Sequence, residues 1–211
     1  MLDRAKRIIT KTQVYRVTQE PQRGRIIRQL HKELGDGREF AEALEFLGVE
    51  LSLGALTVQD LLANSFGPPI WPGRFSNGSY PVLYTARSRR TASREYGYWA
   101  RYFYNPVDTR PYRIRLLLVS CHVEGPSKDV RRFLKEFPWL IADDHTKCQE
   151  LGAAARADGL YCLIAPSARD RPRGVTVPVF ERDAVSQGRQ EGEVVFTIGM
   201  NKPVRFRTKV S

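Results

Sequence analysis

Four polar side chains stand where this chain passes from loop to strand or helix: Arg74 in GPPIWPGRFSNG, Tyr84 in PVLYTA, Glu95 in TASREYGYW and Ser167 in CLIAPSAR. The Arg74 loop packs three prolines and three glycines into 12 residues, so its turns are fixed before any ligand arrives. A guanidinium held in that way grips phosphate or carboxylate at little ordering cost. Tyr84 lies on the strand that follows the loop and Glu95 on the next helix, while the PSAR sequence sets the Ser167 hydroxyl and the Arg169 guanidinium together at a sheet edge. Each residue alone also has a plain structural role: a loop ion pair for Arg74, core packing for Tyr84, a solvated helix position for Glu95 and a turn cap for Ser167.

The elements that must carry these residues follow from hydrophobic periodicity. Gln13–Val17 alternates as an edge or opening strand, and apolar residues at three- and four-residue spacing predict helices near 25–34, 38–47 and 57–64. Pro81–Ala86 reads as a strand, and Thr91–Tyr104 as a helix with Tyr96, Trp99 and Phe103 sharing a core-facing side. Tyr112–Val123 reads as a buried strand, Lys128–Glu136 and Cys148–Ala157 as helices around the Asp143-Asp144-His145 turn. Leu160–Ile164, Val175–Phe180 and Val194–Met200 complete the strands, with Val204–Arg207 as an exposed edge. Strands and helices intermix without regular βαβ alternation, which predicts an α+β fold in one domain over residues 1–211.

Composition narrows the chemistry. The 211 residues are 42% hydrophobic and 27% charged, a globular balance. No apolar run reaches the roughly 20 residues of a membrane span, and no apolar stretch follows the charged start, so a cytosolic location is expected. Net charge is +11, and residues 61–120 contribute nine arginines against two acids, which invites an anionic partner. GxGxxG and GK[ST] motifs are absent. His31, His122 and His145 lack ligand spacing, and Cys121, Cys148 and Cys162 lack CxxC spacing, so reduced thiols and no metal are expected.

Taken together and in order, the blocks GRFSNGSYPVLYTARSRRTASREYGYWARYF and ELGAAARADGLYCLIAPSARDRPRGVTVPVF resemble the RES domain, the toxin of a bacterial toxin–antitoxin system. The family's glycine–arginine turn, leucine–tyrosine strand and glutamate-bearing helix are matched here by Arg74, Tyr84 and Glu95. Its second block is matched by Asp158, Gly159, Pro166, Ser167, Ala168, Arg169 and Phe180, and its early tyrosine–arginine strand by Tyr15-Arg16. Residues 20–66 look like a helical insertion and 184–211 like a C-terminal extension.

The resemblance implies an ADP-ribosyltransferase-like mixed sheet with flanking helices, and an enzyme that consumes NAD by cleaving the bond between nicotinamide and ribose. On that reading Arg74 receives the diphosphate, with Arg16 as a second clamp and Arg169 near the ligand. Glu95 stabilises the oxocarbenium-like ribose or orients its hydroxyls. Tyr84 stacks on nicotinamide, and Ser167 hydrogen-bonds either the nicotinamide amide or the ribose. The acceptor stays open: water gives an NAD glycohydrolase, inorganic phosphate an NAD phosphorylase, a protein side chain an ADP-ribosyltransferase. The implied partner is a helix-turn-helix antitoxin of the Xre type. A different class, a non-enzymatic nucleic-acid binder, rests on the arginines and interleaved aromatics of 61–120.

Overall fold

The computed structural model describes residues 1–18, 39, 57–103, 112–198 and 205–210. The helices expected near 25–34 and 38–47, and most of the 20–66 segment, lie outside the described residues. Seven strands are seen: β1 (Arg7–Thr18), β2 (Leu83–Ala86), β3 (Tyr112–Asp129), β4 (Cys162–Pro166), β5 (Val175–Val179), β6 (Val185–Ile198) and β7 (Arg205–Val210). The α-helices named among the described residues are α1 (Val58–Ala63), α2 (Arg89–Phe103) and α3 (Thr146–Ala157).

The strand order is β1-β2-β5-β4-β3-β6-β7, with β1 also paired to β3. All pairs are antiparallel except β3 with β4, so the mixed α+β class expected from the sequence holds. Strand β3 is the organiser. Its 18 residues carry an apolar heart, RLLLVSC, and it is long enough to take β1 along Leu117–Lys128 on one edge. The other edge takes β6 over Tyr112–Val123 and then β4 over Ser127–Asp129. Because β1 also meets β2 at Tyr15 and Ala86, the pairings β1–β2–β5–β4–β3–β1 close a circuit. β1 is therefore paired on both sides, whereas β7 has one sheet neighbour and exposes Arg205 and Arg207, charges that guard an edge.

Two expectations are corrected here. The segment 128–136 is not an α-helix: β3 continues to Asp129, and a 3-10 turn follows at Arg131–Phe133. Ser127 and Lys128 pair with β1 and β4 at once, and two ladders of backbone hydrogen bonds outweigh a local helical spacing. Trp99 is 40% exposed rather than core, since α2 lays Ala92 and Ala100 against the sheet instead.

Among the described residues the buried apolar side chains gather in three clusters. One lies under α3 and includes Phe75, Leu140, Leu151, Leu160 and Leu163. A second joins α1 to the sheet through Leu62, Val14, Leu83, Val119 and Val177. The third seats α2 on Leu118, Val194 and Phe196. Each fully buried Leu or Phe contributes about 1.5–3 kcal/mol. Helix α1 starts from a capping box in which Thr57 and Asp60 exchange hydrogen bonds, about 1 kcal/mol of helix stability. Cys121 and Cys162 are buried, and burial pushes both thiols up to about 12, so they behave as apolar core residues. Among the described residues no helix is long and apolar enough to cross a membrane.

Candidate active site

The loop before β2 is built around Phe75. The Tyr84 hydroxyl accepts the Phe75 N–H at 3.0 Å, and the Tyr80 hydroxyl donates to the Phe75 carbonyl at 2.6 Å. Two phenols thus bracket the backbone of one residue, Phe75, and fix the residue before it, Arg74. Gly73 completes the turn because a Cβ there would stand 2.5 Å from the Tyr84 hydroxyl. Gln149 on α3 donates to the Gly73 carbonyl at 3.0 Å, tying the loop to that helix. The glycine–arginine turn and the tyrosine on β2 are therefore one physical unit. Burial raises the Tyr84 phenol above its ordinary value, so its hydroxyl stays protonated.

Arg74 reaches across to the 138–145 segment, where its Nη1 donates to the Ala142 carbonyl at 2.6 Å. Its charge helps to hold the neighbouring Asp143 below the usual carboxylate range, behind the larger effect of Arg169. Burial first, then Arg74 and Arg169, push the His145 imidazole below its ordinary 6.5 and keep it neutral. The His145 ring meets Trp99 edge-on at 6.2 Å, and its Nε2 is buried without a hydrogen-bond partner among the described residues.

On the opposite side β4 ends in the Ser167 turn. Ser167 is 2% exposed, and its hydroxyl donates to Glu95 Oε1 at 2.5 Å. Ser167 Oγ itself accepts the N–H groups of Arg169 at 3.2 Å and Asp170 at 2.9 Å. One donor and two acceptor positions exhaust a hydroxyl, so Ser167 is fully committed to orienting Glu95 and closing its own turn. Gly174 shapes that turn: its N–H donates to the Asp170 carbonyl at 2.6 Å, and a Cβ would meet the same oxygen at 2.4 Å. Arg169 donates to Asp143 at 2.7 Å while its guanidinium lies 3.2 Å from the centre of the Tyr98 ring.

Arg16, on β1, is placed differently. Its guanidinium is buried among Tyr84, Tyr96 and Cys121, and burial lowers its pKa. Nη1 donates to the Tyr84 carbonyl at 3.0 Å, and Nε has no hydrogen-bond partner among the described residues. Arg16 donates to the Tyr84 carbonyl, and Tyr84 fixes the Arg74 turn through Phe75. Arg74 and Arg169 both act on Asp143 and His145 through their charge, and the Arg169 amide and Glu95 meet on the Ser167 hydroxyl. The direct contacts among the sequence-selected residues are Arg16–Tyr84, Arg169–Ser167 and Ser167–Glu95. Asp143 and His145, read from sequence as a turn and a structural histidine, and Trp99, read as core, stand in the same network. The acidic pair before α3 was the available signal for Asp143, and nothing in the local pattern marked His145. Two surface hollows of about 350 and 420 Å³ lie elsewhere, lined by Met1, Trp139 and Glu150 and by Phe66, Arg156 and Arg182. Neither is lined by Arg74, Glu95, Ser167 or Arg169.

The RES domain family profile matches residues 56–198, which takes in Arg74, Tyr84, Glu95, Ser167 and Arg169 and leaves Arg16 outside. Among solved structures the chain is similar to the M. tuberculosis MbcT–MbcA toxin–antitoxin complex, at 14% identity and a TM-score of 0.45 over 87% of this chain and 86% of that one. No curated protein sequence matches. The family match spans most of the chain, and this protein belongs to the RES domain family.

Proposed function

We propose that this RES-domain protein is an NAD-consuming toxin that cleaves the nicotinamide–ribose bond. The observation that carries the reading is the 2.5 Å Ser167–Glu95 hydrogen bond, which orients a carboxylate from the same turn that carries Arg169. Arg169, now on Asp143, and Arg74, now on the Ala142 carbonyl, exchange those partners for the diphosphate, whose oxygens take paired charge-assisted hydrogen bonds. The N-glycosidic bond breaks, and its electron pair leaves with nicotinamide, neutralising the pyridinium. Positive charge develops on the ribose, and Glu95 stabilises it or holds the ribose hydroxyls. Ser167 aims Glu95. Tyr84, its hydroxyl spent on Phe75, shapes the Arg74 turn and offers its ring as a wall for nicotinamide. Arg16 acts through the Tyr84 carbonyl as a prop for β2 and as a second source of positive field for the diphosphate.

The acceptor bonds to the ribose C1 carbon and loses a proton. Water gives ADP-ribose, inorganic phosphate gives ADP-ribose 1″-phosphate, and a protein side chain gives an ADP-ribosylated protein. The nucleic-acid reading finds less support, because Arg89, Arg90 and Arg94 pair with Glu191 and Asp170 and Tyr96 packs on Phe196. A helix-turn-helix antitoxin of the Xre type is the proposed partner in a bacterial cytoplasm, with its acidic groups meeting the basic surface. The test is product analysis: purified, antitoxin-free protein is incubated with NAD, with and without phosphate. Nicotinamide release that Glu95→Gln reduces by a hundredfold or so is expected. No release, or equal release by both proteins, contradicts the reading.

A further inference from the structure

The Ser167 turn contains an acid to which the chemistry above assigns no part. Asp170 is 8% exposed, and a carboxylate that deep needs partners. Its backbone serves the turn: the N–H donates to Ser167 Oγ at 2.9 Å, and the carbonyl accepts from Gly174 N at 2.6 Å. Its side chain serves helix α2. Oδ2 accepts the Thr91 hydroxyl at 2.8 Å, and Oδ1 faces Arg90 Nε at 3.3 Å and Arg94 Nε at 3.4 Å.

Thr91 and Glu95 are one helical turn apart and so share a face of α2. Ser167 and Asp170 are three apart on the turn. The two segments are therefore joined by two rungs, Thr91 to Asp170 and Glu95 to Ser167, at 2.8 and 2.5 Å. Proton order supports the first rung. Thr91 has a single hydroxyl proton, given to Asp170, so in the 2.8 Å contact between Ser88 and Thr91 the Ser88 hydroxyl is the donor. Ser88 Oγ in turn accepts the Thr91 N–H at 3.0 Å. The start of α2 is thus a directed series of donors that ends on the Asp170 carboxylate. Arg90 and Arg94 add less, because their side chains are 66% and 41% exposed and such pairs are screened.

We propose that Asp170 is a positioning residue: with Thr91 it fixes the Ser167 turn against helix α2 and thereby sets where the Glu95 carboxylate stands. This rests on the NAD-cleaving reading for its effect on rate, though the strut itself does not. A displacement of about 1 Å at a reacting group costs roughly a hundredfold in rate. Thr91→Val, which keeps the shape and removes the hydroxyl, and Asp170→Ala are expected to lower kcat by about ten- to a hundredfold while KM for NAD changes little. Thr91→Ser, which restores the donor, is expected to restore kcat. In a Glu95→Gln background Thr91→Val is expected to add no further loss, because the strut acts through Glu95.

A second readout needs no NAD. Hydrogen exchange at the Arg169 and Asp170 amides, both bonded to Ser167 Oγ, is expected to quicken in folded Thr91→Val and return to wild-type rates in Thr91→Ser. If wild type released no nicotinamide, the proposed function would fail and the exchange rates alone would decide the strut. A Thr91→Val protein whose turn amides exchange no faster than wild type overturns the inference. So does one that is less heat-stable but equally fast in an active enzyme, since that makes the contact structural only.

Discussion

The two loops that meet at the site are held by different forces. The Gly73–Phe75 turn is set by neutral groups, two phenol hydroxyls and main-chain amides packed on apolar residues under α3. The Ser167–Gly174 turn adds charge to its main-chain hydrogen bonds, with the Asp170 carboxylate facing Arg90 and Arg94 and Arg169 paired to Asp143. Neutral hydrogen bonds in a buried setting respond little to salt, whereas partly exposed ion pairs are screened over about 10 Å at 0.1 M salt. The neutral side is thus insensitive to salt, whereas the charged side, which positions Glu95, is open to screening.

The comparison breaks most visibly at its glycines. Gly174→Ala places a methyl against the Asp170 carbonyl, a backbone atom that cannot move aside, so a loss of about 1–3 kcal/mol and a Tm lower by roughly 5 °C are expected in thermal unfolding. Gly73→Ala meets the far end of Tyr84 instead, and its expected loss is smaller. Tyr84→Phe leaves the Phe75 N–H without its acceptor. A cost of about 1–2 kcal/mol follows, with a higher KM for NAD that does not change with salt, checked by steady-state kinetics at two ionic strengths.

Salt separates the two loops directly. Raising sodium chloride from about 0.05 to about 0.5 M is expected to speed amide exchange at Arg169 and Asp170 while leaving Phe75 unchanged. Acid has the smallest effect. His145 is held below its ordinary 6.5, so the unfolded chain takes up the proton first as pH falls. The contribution is present above about pH 6.5 and is lost below it, and Tm is expected to drop by about 2 °C or less between pH 7 and 5.5 from this group, a slope that His145→Gln removes.

Much of this arrangement is legible in the sequence because its cues are local. Proline and glycine around Arg74 announce a fixed loop, and RIRLLLVS announces a buried strand. What stays hidden is long-range pairing. Nine arginines between 74 and 115 read as an open basic face, yet Arg89 meets Glu191 and Arg90 and Arg94 meet Asp170, partners 76 or more residues away that no local pattern names. Residues 128–136 show the same limit, since the two strands that extend β3 come from opposite ends of the chain. The Tyr84 hydroxyl could be placed near the site but not on the Phe75 amide, because hydrogen-bond partners depend on how β2 sits under the loop.

The most direct test is to determine where NAD sits on the Glu95→Gln protein by crystallography. The account places the diphosphate between the guanidinia of Arg74 and Arg169, with Asp143 released, and the nicotinamide ribose beside residue 95. A dinucleotide bound in either surface hollow, with the Arg169–Asp143 and Ser167 contacts undisturbed, would contradict it.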